Sequence, residues 1–182
     1  MFVNGPELEK CAANFVPLSP ISFLKRAADF FGERTAVIHG DRRYTYRELY
    51  ARTRRLAHAL TKAGIGRGDT VAILAPNTPA MLEAHYSVLM IGAVLNPINI
   101  RLDAASIAFC LDHGGAKLFL ADREFHGTIA PSLELMGAKC PIVIDIADVE
   151  TASAPSFGGV EYESFIAAGS EGFVYSGPQD EW

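Results

Sequence analysis

The stretch that most constrains the fold is DTVAILAPNTPAMLEAHYSVLMIGAVLNPINIRL, residues 69–102. Its first part, Thr70–Ala75, is a short apolar run of the kind needed by a strand buried on both faces. A turn follows, Pro76-Asn77-Thr78-Pro79, with Thr78 placed as a helix N-cap and Pro79 at the first helical position. Ala80–Ile91 is apolar almost all round, and Gly92 supplies the stop. A second apolar run, Ala93–Ile98, begins at once. A strand, a packed helix and a strand in that order make a right-handed parallel crossover.

The flanking chain extends this unit on both sides. Ser19-Pro20 opens a helix with Ile21, Leu24, Ala28 and Phe31 as its apolar stripe and Gly32 at its end. Thr35–His39 and Arg42–Tyr44 form a hairpin about Gly40-Asp41. Thr45-Tyr46-Arg47-Glu48 is a capping box for a helix whose buried face is Leu49, Thr53, Leu56 and Leu60, closed by Gly64. After Leu102, Asp103 caps a helix over Ala104–His113, with Ile107, Cys110 and Leu111 inward. Lys117–Ala121 is the next buried strand. Asp122 caps a helix carrying Phe125, Ile129, Leu133 and Met136, which Pro131 kinks or delays. Pro141–Ile146 is a further strand, residues 147–160 read as loop, and Tyr162–Ala168 as a short helix.

The alternation predicts an α/β fold: an open, mostly parallel sheet with helices on both faces, plus a small amino-terminal hairpin. Three segments are expected: an irregular 1–18, an α/β unit over 19–168, and a linker over 169–182. No element is left for the last fourteen residues to terminate, so the chain reads as unfinished, part of a larger domain.

Composition excludes several function classes. A net charge of −5 offers no basic surface for nucleic acid or anionic lipid. The apolar runs fall short of the ~20 residues a membrane span needs. The amino terminus lacks the basic head and apolar core of a secretion signal. Cys11, Cys110 and Cys140 form neither a disulfide framework nor a zinc pattern; they read as small buried residues in a reduced cytoplasm.

Catalytic signatures are absent as well. The turn after Thr70–Ala75 has no glycine-rich phosphate cradle, and no P-loop or dinucleotide fingerprint occurs elsewhere. Gly-x-Ser-x-Gly is missing. His39, His58, His85, His113 and His126 stand singly, without zinc spacing. His85, in an otherwise apolar helix, reads as a satisfied core histidine. Asp145 ends a strand where phospho-acceptor aspartates occur, but the acidic cluster and lysine of such a site are not recognisable. Arg47, Arg52, Arg54, Arg55 and Lys62 allow a phosphate patch on one helix, although a solvated helix surface is the reading charge runs favour.

YTYREL at 44–49, GDTVAILAPNTPAMLEAHYSVLMIGAVLNPINIRL at 68–102, IAFCLDHGGAKLFLAD at 107–122 and the closing PQDEW resemble, in order and spacing, the amino-terminal region of acyl-CoA synthetases. These are AMP-forming members of the adenylate-forming superfamily that includes luciferases and peptide-synthetase adenylation domains. The resemblance runs from about residue 19 to the end. It implies a parent ligase in which a carboxylate attacks the α-phosphate of Mg-ATP, releasing pyrophosphate, and the thiol of coenzyme A then displaces AMP. In that family a Ser/Thr/Gly-rich phosphate loop comes shortly after a segment like PQDEW. The family's catalytic centre therefore lies outside these residues. The resemblance implies no catalytic residue, metal ligand or cofactor within the chain, with ATP, Mg and coenzyme A belonging to the parent.

Arg101, in the block Asn99-Ile100-Arg101-Leu102, is the one residue the resemblance marks, as a contact for the phosphates of coenzyme A. The alternative is that Arg101 caps a strand end or pairs with Asp103. Expected partners are the remainder of the same enzyme, a small carboxylic acid and, through exposed apolar surface, a second copy of the chain. A free-standing, non-catalytic α/β binding or interaction domain is the rival reading, and a flavodoxin-like carrier a third.

Overall fold

The computed structural model describes residues 11, 13–148 and 153–175. Much of the expected irregular segment 1–18 and part of the linker 169–182 lie outside the described residues.

Helix α1 (Pro20–Phe31) starts where expected, its Ser19 side chain accepting from the Ile21 amide and Pro20 in the first turn. Ile21, Leu24 and Ala28 are buried, but Phe31 is half exposed. Strands β1 (Thr35–His39) and β2 (Arg42–Thr45) pair antiparallel about the Gly40-Asp41 turn. Helix α2 (Tyr46–Lys62) carries the full capping box. The Thr45 amide and hydroxyl hold the Glu48 carboxyl below its usual range.

The central unit consists of β3 (Thr70–Leu74), α3 (Pro79–Met90) and β4 (Val94–Pro97), with Gly92 at φ 70° turning the chain between helix and strand. Helix α4 (Ala104–His113), strand β5 (Ala116–Asp122), helix α5 (His126–Met136) and strand β6 (Ile142–Ile146) follow. A 3₁₀ turn, Arg123–Phe125, intervenes before α5, so Asp122 caps that turn and α5 starts late. Pro131 remains inside α5.

One strand was not foreseen. Strand β7 (Val160–Glu161) pairs parallel with β6 at the end of the expected loop 147–160, part of which is outside the described residues. Two residues between small and polar neighbours leave no alternation to read. Helix α6 (Tyr162–Ala167) follows directly.

The five strands are parallel, in the order β4-β3-β5-β6-β7. The chain steps from β3 outward to β4, then back across to β5, and successive right-handed crossovers in opposite directions put their helices on opposite faces. Side chains confirm this. Val71, Ile73, Leu118, Leu120 and Ile144 point to a core shared with α2, α3 and α6. Their neighbours Ala72, Leu74, Phe119 and Ala121 point to a core shared with α4 and α5. Helix α1 and the hairpin form an outer layer on α2 and α3 through Ile21, Leu24, Leu49, Ala57 and Met90.

Candidate functional site

In an open parallel sheet the crevice for a ligand lies beyond the carboxyl ends of the strands, where adjacent crossovers part to opposite faces. Here that point falls between β3, followed by α3, and β5, followed by α5. The rim it defines is rich in buried polar groups. Asp122 ends β5 at 1% exposure, Asp145 lies in β6 at 0%, and Thr78 precedes α3 at 8%.

Among the described residues, three buried side-chain atoms lack a hydrogen-bond partner: Thr78 Oγ1, Asp122 Oδ2 and Asp145 Oδ1. All three belong to this rim. The Thr78 hydroxyl makes no cap bond to α3, contrary to the expected capping. The other oxygen of Asp122 accepts from the Glu124 amide at 2.9 Å. Burial, with the Glu124 and Asp148 carboxylates adding to it, lifts the Asp122 carboxyl to about 6. The other oxygen of Asp145 accepts from Arg123 at 3.0 Å, from the Phe157 amide at 3.2 Å, and from the Ser156 hydroxyl. Nearby, His39 and Arg42 of the hairpin reach Asp148 at 2.5 and 3.6 Å. A mostly apolar groove of about 570 Å³ runs from Asn77 and Thr78 between the hairpin and α3, past Ile38, Leu82 and Leu89.

No glycine-rich loop follows β3 or β5, and no cluster of three or more His, Cys, Asp or Glu fit for a metal occurs among the described residues. Asp145 is a structural anchor.

Arg101 lies exposed in the turn beyond β4, on the carboxyl side of the sheet, where its amide donates to Asn99 Oδ1 at 3.0 Å. The pairing with Asp103 is not formed: Asp103 caps α4 through the Ser106 amide at 2.7 Å.

The cations of α2 reach partners on neighbouring segments, although Arg47 and Lys62 stay exposed to solvent as expected of a charged helix face. Arg47 pairs with Glu33 at 2.9 Å. Arg52 holds Glu83 and Glu163 at 2.6 and 2.7 Å and stacks over Tyr44. The remaining cations grip the segment that leaves α6. Lys62 donates to the Ala168 carbonyl, Arg55 pairs with Glu171 and Arg54 donates to the Phe173 carbonyl. Sequence reading missed this partner because the contacts span 106 to 119 residues.

It also missed Glu83. This carboxylate is fully buried, bound to Arg52 and accepting from the Tyr162 hydroxyl at 2.6 Å. Burial pushes it above the usual carboxylate range, against the pull of Arg52 and Tyr162. Its signal was an acid in an apolar helix. His85 drew attention instead, yet it is exposed, its ring bonded to the Met81 carbonyl at 2.8 Å. The cysteines also correct the expectation of burial: Cys11 and Cys140 are exposed and Cys110 is partly so.

The architecture and the sequence meet in one observation: the family model described as AMP-binding enzyme matches residues 24–167. The chain belongs to the AMP-binding enzyme family. This AMP-binding enzyme chain is 46% identical over 187 aligned positions to the acetate/butyrate–CoA ligase AAE7, peroxisomal, of Arabidopsis thaliana, covering 97% of the chain and 33% of that protein. With the acetate–CoA ligase CCL3 of Humulus lupulus the identity is 42%, over the same shares. The chain thus spans about a third of the length of the curated relatives it matches.

Solved structures bear out the fold. The anthranilate CoA ligase AuaEII in complex with anthranoyl-AMP superposes with a TM-score of 0.77 at 18% identity, over 92% of this chain and 32% of that one. A benzoate CoA ligase from Burkholderia xenovorans gives 0.72 at 22%, over 86% and 29%. The α/β, mostly parallel architecture expected from the sequence is that of these enzymes.

Proposed function

We propose that this chain is the amino-terminal subdomain of an AMP-forming acyl-CoA synthetase, and that it is catalytically silent by itself. The parent reaction joins a carboxylic acid to coenzyme A at the expense of ATP, giving acyl-CoA, AMP and pyrophosphate. The family match over residues 24–167 carries the reading. The silence is supported by the rim: its acids are capped, ion-paired or raised toward neutrality, and none faces a glycine-rich phosphate cradle. Stabilising charge on a reacting phosphorus takes a metal, a lysine or converging amides.

The chain's role in this reading is scaffold. Its sheet fixes the carboxyl rim against which the rest of the enzyme, with ATP, Mg and a small carboxylic acid, assembles. Arg101 is the residue assigned to the substrate side, as a contact for coenzyme A phosphate. Its exposure and its freedom from Asp103 support this, because a guanidinium binds phosphate through paired, charge-assisted bonds. The unpaired cysteines support a cytoplasmic location. Exposed Leu18, Phe23, Phe30 and Ile38 support self-association of the isolated chain.

The test is ATP–pyrophosphate exchange by the purified 182-residue chain with acetate, butyrate and benzoate. No exchange is expected with any of them, and exchange above the blank with even one would overturn the silent-scaffold reading. Sedimentation checks the self-association: a strict monomer at all concentrations contradicts it.

A further inference from the structure

Tyr50, Arg54, His58 and Lys62 recur every fourth residue along α2 and so form one stripe on its surface. The segment 168–175 lies along that stripe in the opposite direction. Lys62 Nζ donates to the Ala168 carbonyl at 3.1 Å, and the Ser170 amide donates to His58 Nδ1 at 2.9 Å. The His58 ring stacks on Phe173, 5.2 Å between centroids and 11° from parallel. Arg54 Nε donates to the Phe173 carbonyl at 3.1 Å, and the Tyr50 and Tyr175 hydroxyls meet at 3.3 Å. With the ion pair between Arg55 and Glu171 beside the stripe, the strap has six attachments, and one of them depends on a proton.

A backbone amide only donates. The Ser170 bond therefore requires His58 Nδ1 to be bare, with the ring proton on Nε2. A second proton places N–H against N–H across 2.9 Å and removes the acceptor, while the stacking on Phe173 survives. We infer that residues 168–175 form a latch on α2 that is fully closed only while the His58 imidazole is neutral.

The charged groups around His58 are themselves engaged. Its own helix contributes three cations, Arg54, Arg55 and Lys62. The strap contributes Glu171, already held by Arg55 at 2.6 Å. Of the other elements packed on α2, α1 brings Lys25 and Asp29, paired with each other. Helices α3 and α6 bring Glu83 and Glu163, both held by Arg52, and the hairpin brings His39 and Arg42, both on Asp148. Each carboxylate among these groups is already bonded to a basic side chain. This inference stands on the strap's geometry and does not depend on the ligase reading.

Amide hydrogen exchange, followed residue by residue and corrected for intrinsic rates, tests it in the 182-residue chain. Between roughly pH 8 and pH 5, where imidazoles titrate, protection of the Ser170 amide should fall about tenfold, the loss expected for one hydrogen bond. Core amides of β3 should keep theirs. In His58→Asn the side-chain oxygen takes the place of Nδ1 without titrating, so Ser170 should stay protected at both values. In His58→Ala it should be weakly protected at both. Asp122 titrates in the same window, and the asparagine variant separates the two. The latch is overturned by a pH-independent Ser170 amide in the parent chain, by the same fall in His58→Asn, or by an equal fall throughout β3.

Discussion

Arg52 and Glu83, thirty-one residues apart, meet inside the molecule through two hydrogen bonds of 2.6 and 3.3 Å. They join α2 to α3, and Tyr162 and Glu163 extend the junction to α6. A carboxylate at zero exposure is costly unless its charge is matched and its lone pairs are filled. Removing one partner therefore strands the other. Glu83→Ala should cost about 3–5 kcal/mol in urea unfolding, whereas the double change Arg52→Met, Glu83→Leu should recover most of that loss. Equal destabilisation by the single and the double change would show that the pair is no more than packing volume.

Asp122 sets a pH dependence of definite sign. Its carboxyl is raised from 3.8 to about 6. The folded chain thus holds this proton more tightly than the unfolded one. The stabilising contribution is complete below about pH 4 and is lost as the pH rises through about 6, at most about 3 kcal/mol in all. Asp122→Asn keeps an oxygen for the Glu124 amide and removes the titration. Relative to the parent it should gain about 2 kcal/mol in urea unfolding between roughly pH 4 and pH 7.5. A constant difference across that range would refute the assignment.

Gly169 passes over α2 where a side chain cannot follow. A Cβ there would lie 2.0 Å from the Arg55 carbonyl oxygen, and backbone cannot give way by that much. Gly169→Ala should cost about 1–3 kcal/mol and lift the strap. Chymotrypsin, which cuts after aromatic residues, should then cleave at Phe173 and Tyr175 faster than in the parent. Unchanged cleavage would mean that the strap tolerates the methyl group in place.

Arg101→Ala should leave stability within about 0.5 kcal/mol, as expected for an exposed side chain without an ion pair. In the full-length acyl-CoA synthetase proposed above it should weaken coenzyme A binding while leaving adenylate formation intact. A loss confined to adenylate formation would remove Arg101 from the coenzyme A side.

Local patterns made most of the sheet legible. Thr70–Leu74 and Ala116–Asp122 are apolar on both faces because both faces are covered, and the capping box at Thr45 and Glu48 marks the start of α2 without ambiguity. Strand β7 was not legible, since two residues borrow their extended form from the pairing with β6. The rim was hidden for another reason. Asp122 announces a cap, and only the neighbouring strands show that its second oxygen is sealed in. In α3 the helical phase turns Glu83 inward with Ala80, Ala84 and Ser87, and turns His85 outward beside Leu89. An apolar helix with two polar residues does not say which of them is inside until its neighbours are known.

The two outermost strands of the larger sheet bear on how the chain meets its neighbours. At one edge β4 offers four residues and ends at Pro97, which has no amide to donate. At the other edge β7 offers two. An extended segment from another molecule would find little template at either edge, so cross-β growth from this sheet is disfavoured by construction. The separate hairpin of β1 and β2, five and four residues long, is left as the longer backbone edge of the described chain.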